Sequence, residues 1–200
     1  MPQPKTLLAH GGAERSPSSL ADSVVLIIDA QREYTAAGCL PLDGIDGALE
    51  RIAALLDAAR KQGRPIVHVA HRGKPGKLFD PETSAFAFAD PAAPRKGEAV
   101  VLKTLPDSFV GSDLDAALKR TGTSNLIVAG FMTHMCVSST VRTSIGLGYV
   151  PTIVADACAT RDLPDGHGGR IAARDLHRIE LVALADLFAA VVDDMSGLPA

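Results

Sequence analysis

Cysteine is scarce in this chain of 200 residues: Cys39, Cys136 and Cys158 are an odd number with no CxxC spacing. That excludes a disulfide framework and a zinc knuckle and predicts reduced thiols. Long apolar runs are missing from the N-terminus too. MPQPKTLLAHGGAERSPSS holds only Leu7 to Ala9 before His10 and glycine interrupt it, too little for a secretory h-region or a membrane span. Basic runs are also lacking. With 20 Lys+Arg against 23 Asp+Glu and a net charge of -3, no stripe of cations could track a phosphate backbone, so no nucleic-acid partner is expected. There is no internal repeat and no low-complexity tract. GHGG at residues 166–169 lacks the GxGxxG spacing and does not follow the first strand, so it is not a dinucleotide fingerprint. These absences lead to the expectation of a soluble, cytoplasmic protein with no membrane partner.

What is present is apolar sequence in short pieces. At 46% hydrophobic the chain can bury one substantial core, and its length favours a single domain. From Ser23 onward six runs, VVLIID, PIVHVAH, AVVLK, NLIVAG, PTIVAD and AAVVDD, alternate with helical patterns. Strands so uniformly apolar are covered on both faces, and the alternation predicts βαβ units. The predicted fold class is α/β: three layers around a doubly wound, six-stranded, mainly parallel sheet of order 3-2-1-4-5-6. Helices are predicted over 45–62, closed by Gly63, over 112–120 with Ser112 as N-cap, over 136–147 and over 171–188. Residues 1–22 read as an N-terminal arm and 23–200 as the domain. Residues 72–98, rich in Gly, Pro and Phe, form a connection without a helix, whose length points to a functional loop.

Ligands bind such sheets beyond the carboxyl ends of the strands, at the point where strand order reverses. Asp29, His71 and Lys103 end the first three strands, and Cys136 opens the helix after the fourth. Buried together, Asp29 and Lys103 would compensate one another's desolvation. A thiol at a helix N-terminus beside an ammonium is expected to have a lowered pKa, giving a thiolate with a carboxylate close enough to take its proton. Amides around Met132 to Cys136 would hold an oxyanion. Each residue also has a plainer reading: Cys136 as packing, Asp29 as a helix cap, Lys103 reaching solvent. Cys39, Cys158 and His68 read as structural. His134, two residues from Cys136, does not share its helical face. Phe79, Phe86 and Phe88 either wall a pocket or anchor their loop.

The stretches VVLIIDAQREY, AVVLKTLPDSFVGSDL and GFMTHMCVSSTVRTSIGLGYVPTIVADACAT together resemble the isochorismatase-like cysteine hydrolases, a family that includes nicotinamidases and N-carbamoylsarcosine amidase. The similarity runs from about Ser23 to the C-terminus. It implies Asp29 as general base, Lys103 as the cation holding the aspartate and thiolate, and Cys136 as nucleophile. It also implies a non-proline cis peptide joining Phe131 to Met132, which would aim the Met132 N–H, with that of Cys136, at the oxyanion. Gln31, Tyr34, His71, Phe79, Thr133 and His134 are the candidate substrate contacts. The implied activity is hydrolysis of a small non-peptide amide or carbamoyl C–N bond through a thioester, with no cofactor. Homo-oligomers, dimer or tetramer, are the family habit. The two histidines of HVAHRGKPGKLFDP lie three apart on a strand, hence on opposite faces, so no metal site is expected and nicotinamide is disfavoured. Family members that cleave the vinyl ether of isochorismate lack the cysteine. Ether hydrolysis and a non-catalytic ligand-binding role are the alternatives. Specificity is expected in the arm, residues 34–42 and residues 72–98.

Overall fold

Five consecutive Val, Leu and Ile residues make β1 (Val24–Ile28), and all five are fully buried. Their alternate side chains enter two separate cores, Val25 and Ile27 on one side of the sheet, Val24, Leu26 and Ile28 on the other. The structure, a computed structural model, describes residues 3–200. Around β1 the chain lays down α1 (Leu7–His10), α2 (Ile45–Lys61), β2 (Ile66–His71), β3 (Ala99–Lys103), α3 (Leu114–Lys119), β4 (Asn125–Phe131), α4 (Ser138–Gly146) and β5 (Val150–Ala159). A small hairpin, β6 (Leu163–Pro164) and β7 (Arg170–Ile171), precedes α5 (Ala173–Leu187) and β8 (Ala190–Val192).

The main sheet runs β3-β2-β1-β4-β5-β8 with every neighbour parallel, the predicted order with β8 as its sixth strand. One face is covered by α2, whose Ile45, Leu49, Ile52, Leu55 and Leu56 recur at helical spacing and are buried. The opposite face carries residues of α3, α4 and α5. Burying each such Leu or Ile is worth about 1.5–3 kcal/mol. Strand β4 passes so close to β1 that a Cβ on Gly130 would stand 2.0 Å from the Ile28 carbonyl oxygen, and Gly130 has φ 123°. Only glycine fits there.

Several predicted bounds shift. The helix expected over 136–147 begins earlier, as a π turn over Thr133–Val137 that runs into α4. The helix expected over 171–188 loses Ile171 to β7, which pairs with β6. Asp113, not Ser112, stands at the N-cap of α3, although the Ser112 hydroxyl accepts the Leu114 N–H at 3.1 Å. The segment before β1 is docked: Leu7 N–H donates to Asp186, Ser18 N–H to Thr152 Oγ1, and Leu20 is buried. Residues 72–98 hold no α-helix, only 3-10 turns at Ser84–Phe86 and Asp90–Ala92. They fold over the end of β1 through Arg32 N–H to Ala87 O and Ala89 N–H to Ala30 O.

Candidate active site

The carboxyl ends of β1, β2 and β3 and the π turn after β4 meet at one nitrogen. Lys103 Nζ lies 2.7 Å from Asp29 Oδ2, and both side chains are fully buried. The same nitrogen donates to Cys136 Sγ at 3.2 Å and to Leu105 O at 3.1 Å, and contacts His71 Nδ1 at 3.2 Å. Asp29 reaches this position by leaving the strand with φ 51°, a left-handed conformation that aspartate tolerates better than most residues. Its N–H donates to Val69 O, which fixes the turn. Asp29 Oδ2 pairs with Lys103 Nζ, and the Cys136 thiol also lies within hydrogen-bonding reach of the carboxylate.

The charges decide where the thiol proton rests. Burial raises the Asp29 pKa, against the pull of Lys103. Burial and then the Asp29 charge push Cys136 up to about 12, and Lys103 does not offset them. The expectation of a thiol acidified by ammonium and helix amides is therefore reversed. One buried cation can balance one anion; Asp29 already occupies that role, and a second anion on sulfur would leave the pocket negative. These directions favour a neutral thiol beside the Asp29–Lys103 ion pair.

Cys136 sits inside the π turn. The Met132 carbonyl accepts from Met135 N–H at 3.0 Å and Val137 N–H at 3.2 Å, the amides on either side of Cys136. The peptide joining Phe131 to Met132 is cis.

The remaining candidate residues divide. His71 lies in the wall of a cleft of about 810 Å³, with its ring 5.0 Å from that of Phe79. Burial, followed by the Lys103 charge, lowers its pKa to about 4. Facing an ammonium that can only donate, Nδ1 is the acceptor and Nε2 carries the proton. Phe79, at φ 58°, walls the cleft and packs edge-on against Tyr34, whose ring also meets Phe131. Gln31, proposed as a substrate contact, is instead a bracket: its amide donates to His71 O and Phe86 O and accepts from His71 N–H. Both its protons are engaged with backbone, so it ties β1, β2 and the long loop together. Thr133 is likewise occupied, donating to Ala159 O and meeting His177 Nδ1 at 2.8 Å. His134 points to Thr160 Oγ1, away from the thiol. Phe88 anchors its loop against His68, while Phe79 lines the cleft.

Glu33 went unread in the sequence. Its side chain is buried at 2% exposure, and its carboxylate accepts Cys39 N–H and Phe79 N–H, both at 2.9 Å. It joins the two loops that border the site. An acid flanked by Arg32 and Tyr34 gives no pattern signal; only the fold brings its partners to it. His68 and His71 project from opposite faces of β2, His68 to Glu98 and His71 to Lys103. Among the described residues no group of three or more His, Cys, Asp or Glu side chains could hold a metal ion.

Comparison with known proteins places this geometry. The family model of the isochorismatase domain matches residues 23–194. The chain belongs to the isochorismatase family of hydrolases. Within that family it is 36% identical to a secreted isochorismatase effector of Verticillium dahliae, over 90% of this chain and 93% of the relative. A crystal structure of an isochorismatase from Pseudomonas putida superposes with a TM-score of 0.93 at 43% identity, covering 98% of this chain and 100% of the other. Further relatives are named as hydrolases of small molecules. A streptothricin hydrolase of Streptomyces noursei is 34% identical over 70% of this chain and 50% of its own length. A ureidoacrylate amidohydrolase of Agrobacterium fabrum is 26% identical over 68% and 75%.

Proposed function

We propose that this isochorismatase-family hydrolase cleaves the C–N bond of a small non-peptide amide or carbamoyl group through a thioester on Cys136. The observation that carries the reading is one buried ammonium, Lys103 Nζ, touching both Asp29 and Cys136. Sγ attacks the carbonyl carbon as its proton passes to Asp29, so the pocket keeps one anion and one cation while charge moves from carboxylate to sulfur and then to the carbonyl oxygen. The Met132 and Cys136 amides hold that oxygen. Asp29 returns the proton to the leaving nitrogen, the C–N bond breaks, and a water deprotonated by Asp29 cleaves the thioester to release the acid. Lys103 keeps the buried carboxylate and sulfur compensated throughout, and no cofactor enters.

The relatives named for streptothricin and ureidoacrylate hydrolysis support amide chemistry over ether hydrolysis. Tyr34, His71 and Phe79 border the substrate in this reading. Exposed apolar side chains on β3 (Val100, Leu102) and α5 (Ile179, Val182) support a homo-oligomer. Three free cysteines suit a reducing cytoplasm, although one relative is a secreted effector. No helix of the described residues is long and apolar enough to cross a membrane.

The test is a screen of primary amides and ureido compounds read by ammonia release, with acyl-enzyme trapping by mass spectrometry. Turnover should vanish in Cys136→Ala and Asp29→Asn. Turnover of an enol ether that survives Cys136→Ala would move the assignment to ether hydrolysis, and ligand binding without turnover to a binding role.

A further inference from the structure

The cleft whose wall includes His71 has a rim of one sign. Besides His71, Leu78 and Phe79 it is lined by Arg72, Lys74 and Lys77. None of these three cations has a carboxylate within 4.0 Å among the described residues. The nearest acid along the chain, Asp80, is buried with its oxygens engaged by Gly76 N–H at 2.7 Å and Glu82 N–H at 2.9 Å. The loop bearing the cations is tied down. Gly73 N–H donates to Phe79 O, Lys77 N–H to Lys74 O, and a Cβ on Gly73 would stand 1.9 Å from the Leu78 carbonyl oxygen. The depression formed by Arg161, Arg170 and Arg174 behaves differently, because Asp43 and Asp162 share its wall and Arg170 is paired to Asp162 at 2.7 Å. Of these two clefts, among the described residues, the one that includes His71 is the one whose cations have no carboxylate partner.

The wall of this cleft leads to the thiol through His71. His71 Nδ1 and Cys136 Sγ each lie 3.2 Å from Lys103 Nζ, so the cleft wall is within two contact distances of the sulfur. We infer that the substrate carries a carboxylate: a small amide with an apolar body set against Leu78 and Phe79 and an anionic group drawn to Arg72, Lys74 and Lys77. Resting on the thioester reading above, this names the substrate class for the same site. The apolar walls favour the body of the molecule, and the cations concentrate anions at the mouth of the cleft.

The test compares two reagents that alkylate the same sulfur, anionic iodoacetate and neutral iodoacetamide, each followed at Cys136 by peptide mass spectrometry on the full chain. The ratio of their rates cancels changes in the thiol itself. At about 0.1 M salt or below, Arg72→Glu/Lys74→Glu/Lys77→Glu should lower the iodoacetate-to-iodoacetamide ratio by roughly tenfold, and added salt should shrink the difference. Lys61→Glu/Lys96→Glu/Arg120→Glu makes the same change in net charge outside the cleft lining and should leave the ratio nearly unmoved. A ratio unchanged in the cleft variant, or changed equally in both variants, overturns the anionic-substrate inference while leaving the thiol reading intact. Failure of both reagents to modify Cys136 at any pH removes the thiol reading and this inference with it.

Discussion

Replacing Asp29 by Asn should make Cys136 more reactive toward iodoacetamide even as it abolishes turnover. In the resting site the thiol stands near a pKa of about 12, through burial first and the Asp29 charge second. Asp29 Oδ2 and Cys136 Sγ lie 2.7 and 3.2 Å from the same Nζ, and these contacts laid end to end bound their separation at about 6 Å. Even at that outer bound of about 6 Å, a unit charge in an effective dielectric of about 20 is worth roughly 3 kcal/mol, so neutralising Asp29 should acidify the thiol roughly a hundredfold. At about pH 8 the thiolate population rises by that factor. A less basic thiolate is also a weaker nucleophile, with a Brønsted slope of about 0.4–0.5, and the net gain in rate is about tenfold. The assay is pseudo-first-order alkylation of Cys136 across pH, resolved by peptide mass spectrometry, with exposed Cys39 as internal reference. Lys103→Met should move the rate the other way. The electrostatic reasoning is refuted if Asp29→Asn reacts no faster than the parent, or if the parent thiol titrates below about 8.5, the free-thiol value.

Lys103→Met should also destabilise by about 3–5 kcal/mol at neutral pH by leaving Asp29 buried and uncompensated. With its folded pKa above the unfolded one, Asp29 makes the variant recover stability as pH falls toward 3.8 and lose it as pH rises, which urea titrations at several pH values would show. Glu33→Ala leaves the Cys39 and Phe79 N–H groups without their acceptor and should cost about 2–4 kcal/mol, with faster proteolytic nicking at residues 34–42 and 74–80; unchanged nicking would remove its role as a loop tie. Acid should erode stability in two stages. Burial lowers the His68 pKa against the Glu98 contacts, so His68 is neutral when folded and costs stability as the unfolded imidazole protonates below 6.5. Burial would raise Glu98, but Arg60, the Arg95 N–H and His68 bring it down to about 2, so its contribution is lost between 4.5 and about 2. Arg60→Met should blunt the second stage in calorimetric scans. Gly130→Ala should fail to accumulate as folded protein in the soluble fraction.

Strand order, the parallel sheet and the chain positions of Asp29, Lys103 and Cys136 were legible because they depend on pattern. An apolar run such as VVLII can only be a doubly covered strand, and polar residues that close such runs share one edge of the sheet. The direction of the Cys136 pKa was not legible, because it depends on burial and on which charge lies nearer, neither of which is a property of sequence spacing. Gln31 and Thr133 illustrate the same limit. Both were read as substrate contacts from their place in the chain, yet hydrogen bonds to His71, Phe86 and Ala159 turn both side chains into framework. Glu33 and the Arg72, Lys74 and Lys77 rim were overlooked for the opposite reason. Each is an ordinary charged residue in a loop, and its meaning lies in what the loop brings near it, or keeps away.

The buried trio and the rim divide the electrostatic work by distance. Carboxylate, ammonium and neutral thiol sum to zero charge, so at rest the reacting centre exerts little long-range pull on a charged molecule. In the proposed mechanism one negative charge moves from Asp29 through sulfur to a carbonyl oxygen without any change in the total, which keeps the desolvation cost nearly constant along the reaction. Attraction over longer range must come from groups that stay charged and wet, and Arg72, Lys74 and Lys77 are such groups. For an amide substrate the proposed chemistry adds a carboxylate to whatever charge the substrate carried, so the acid product is more strongly held by the same cations than the amide was. Release should therefore slow at low ionic strength and quicken with salt, until screening weakens substrate capture as well. An optimum of turnover at intermediate salt, flattened in the Arg72→Glu/Lys74→Glu/Lys77→Glu variant, follows from this division and is absent if the rim has no part in binding.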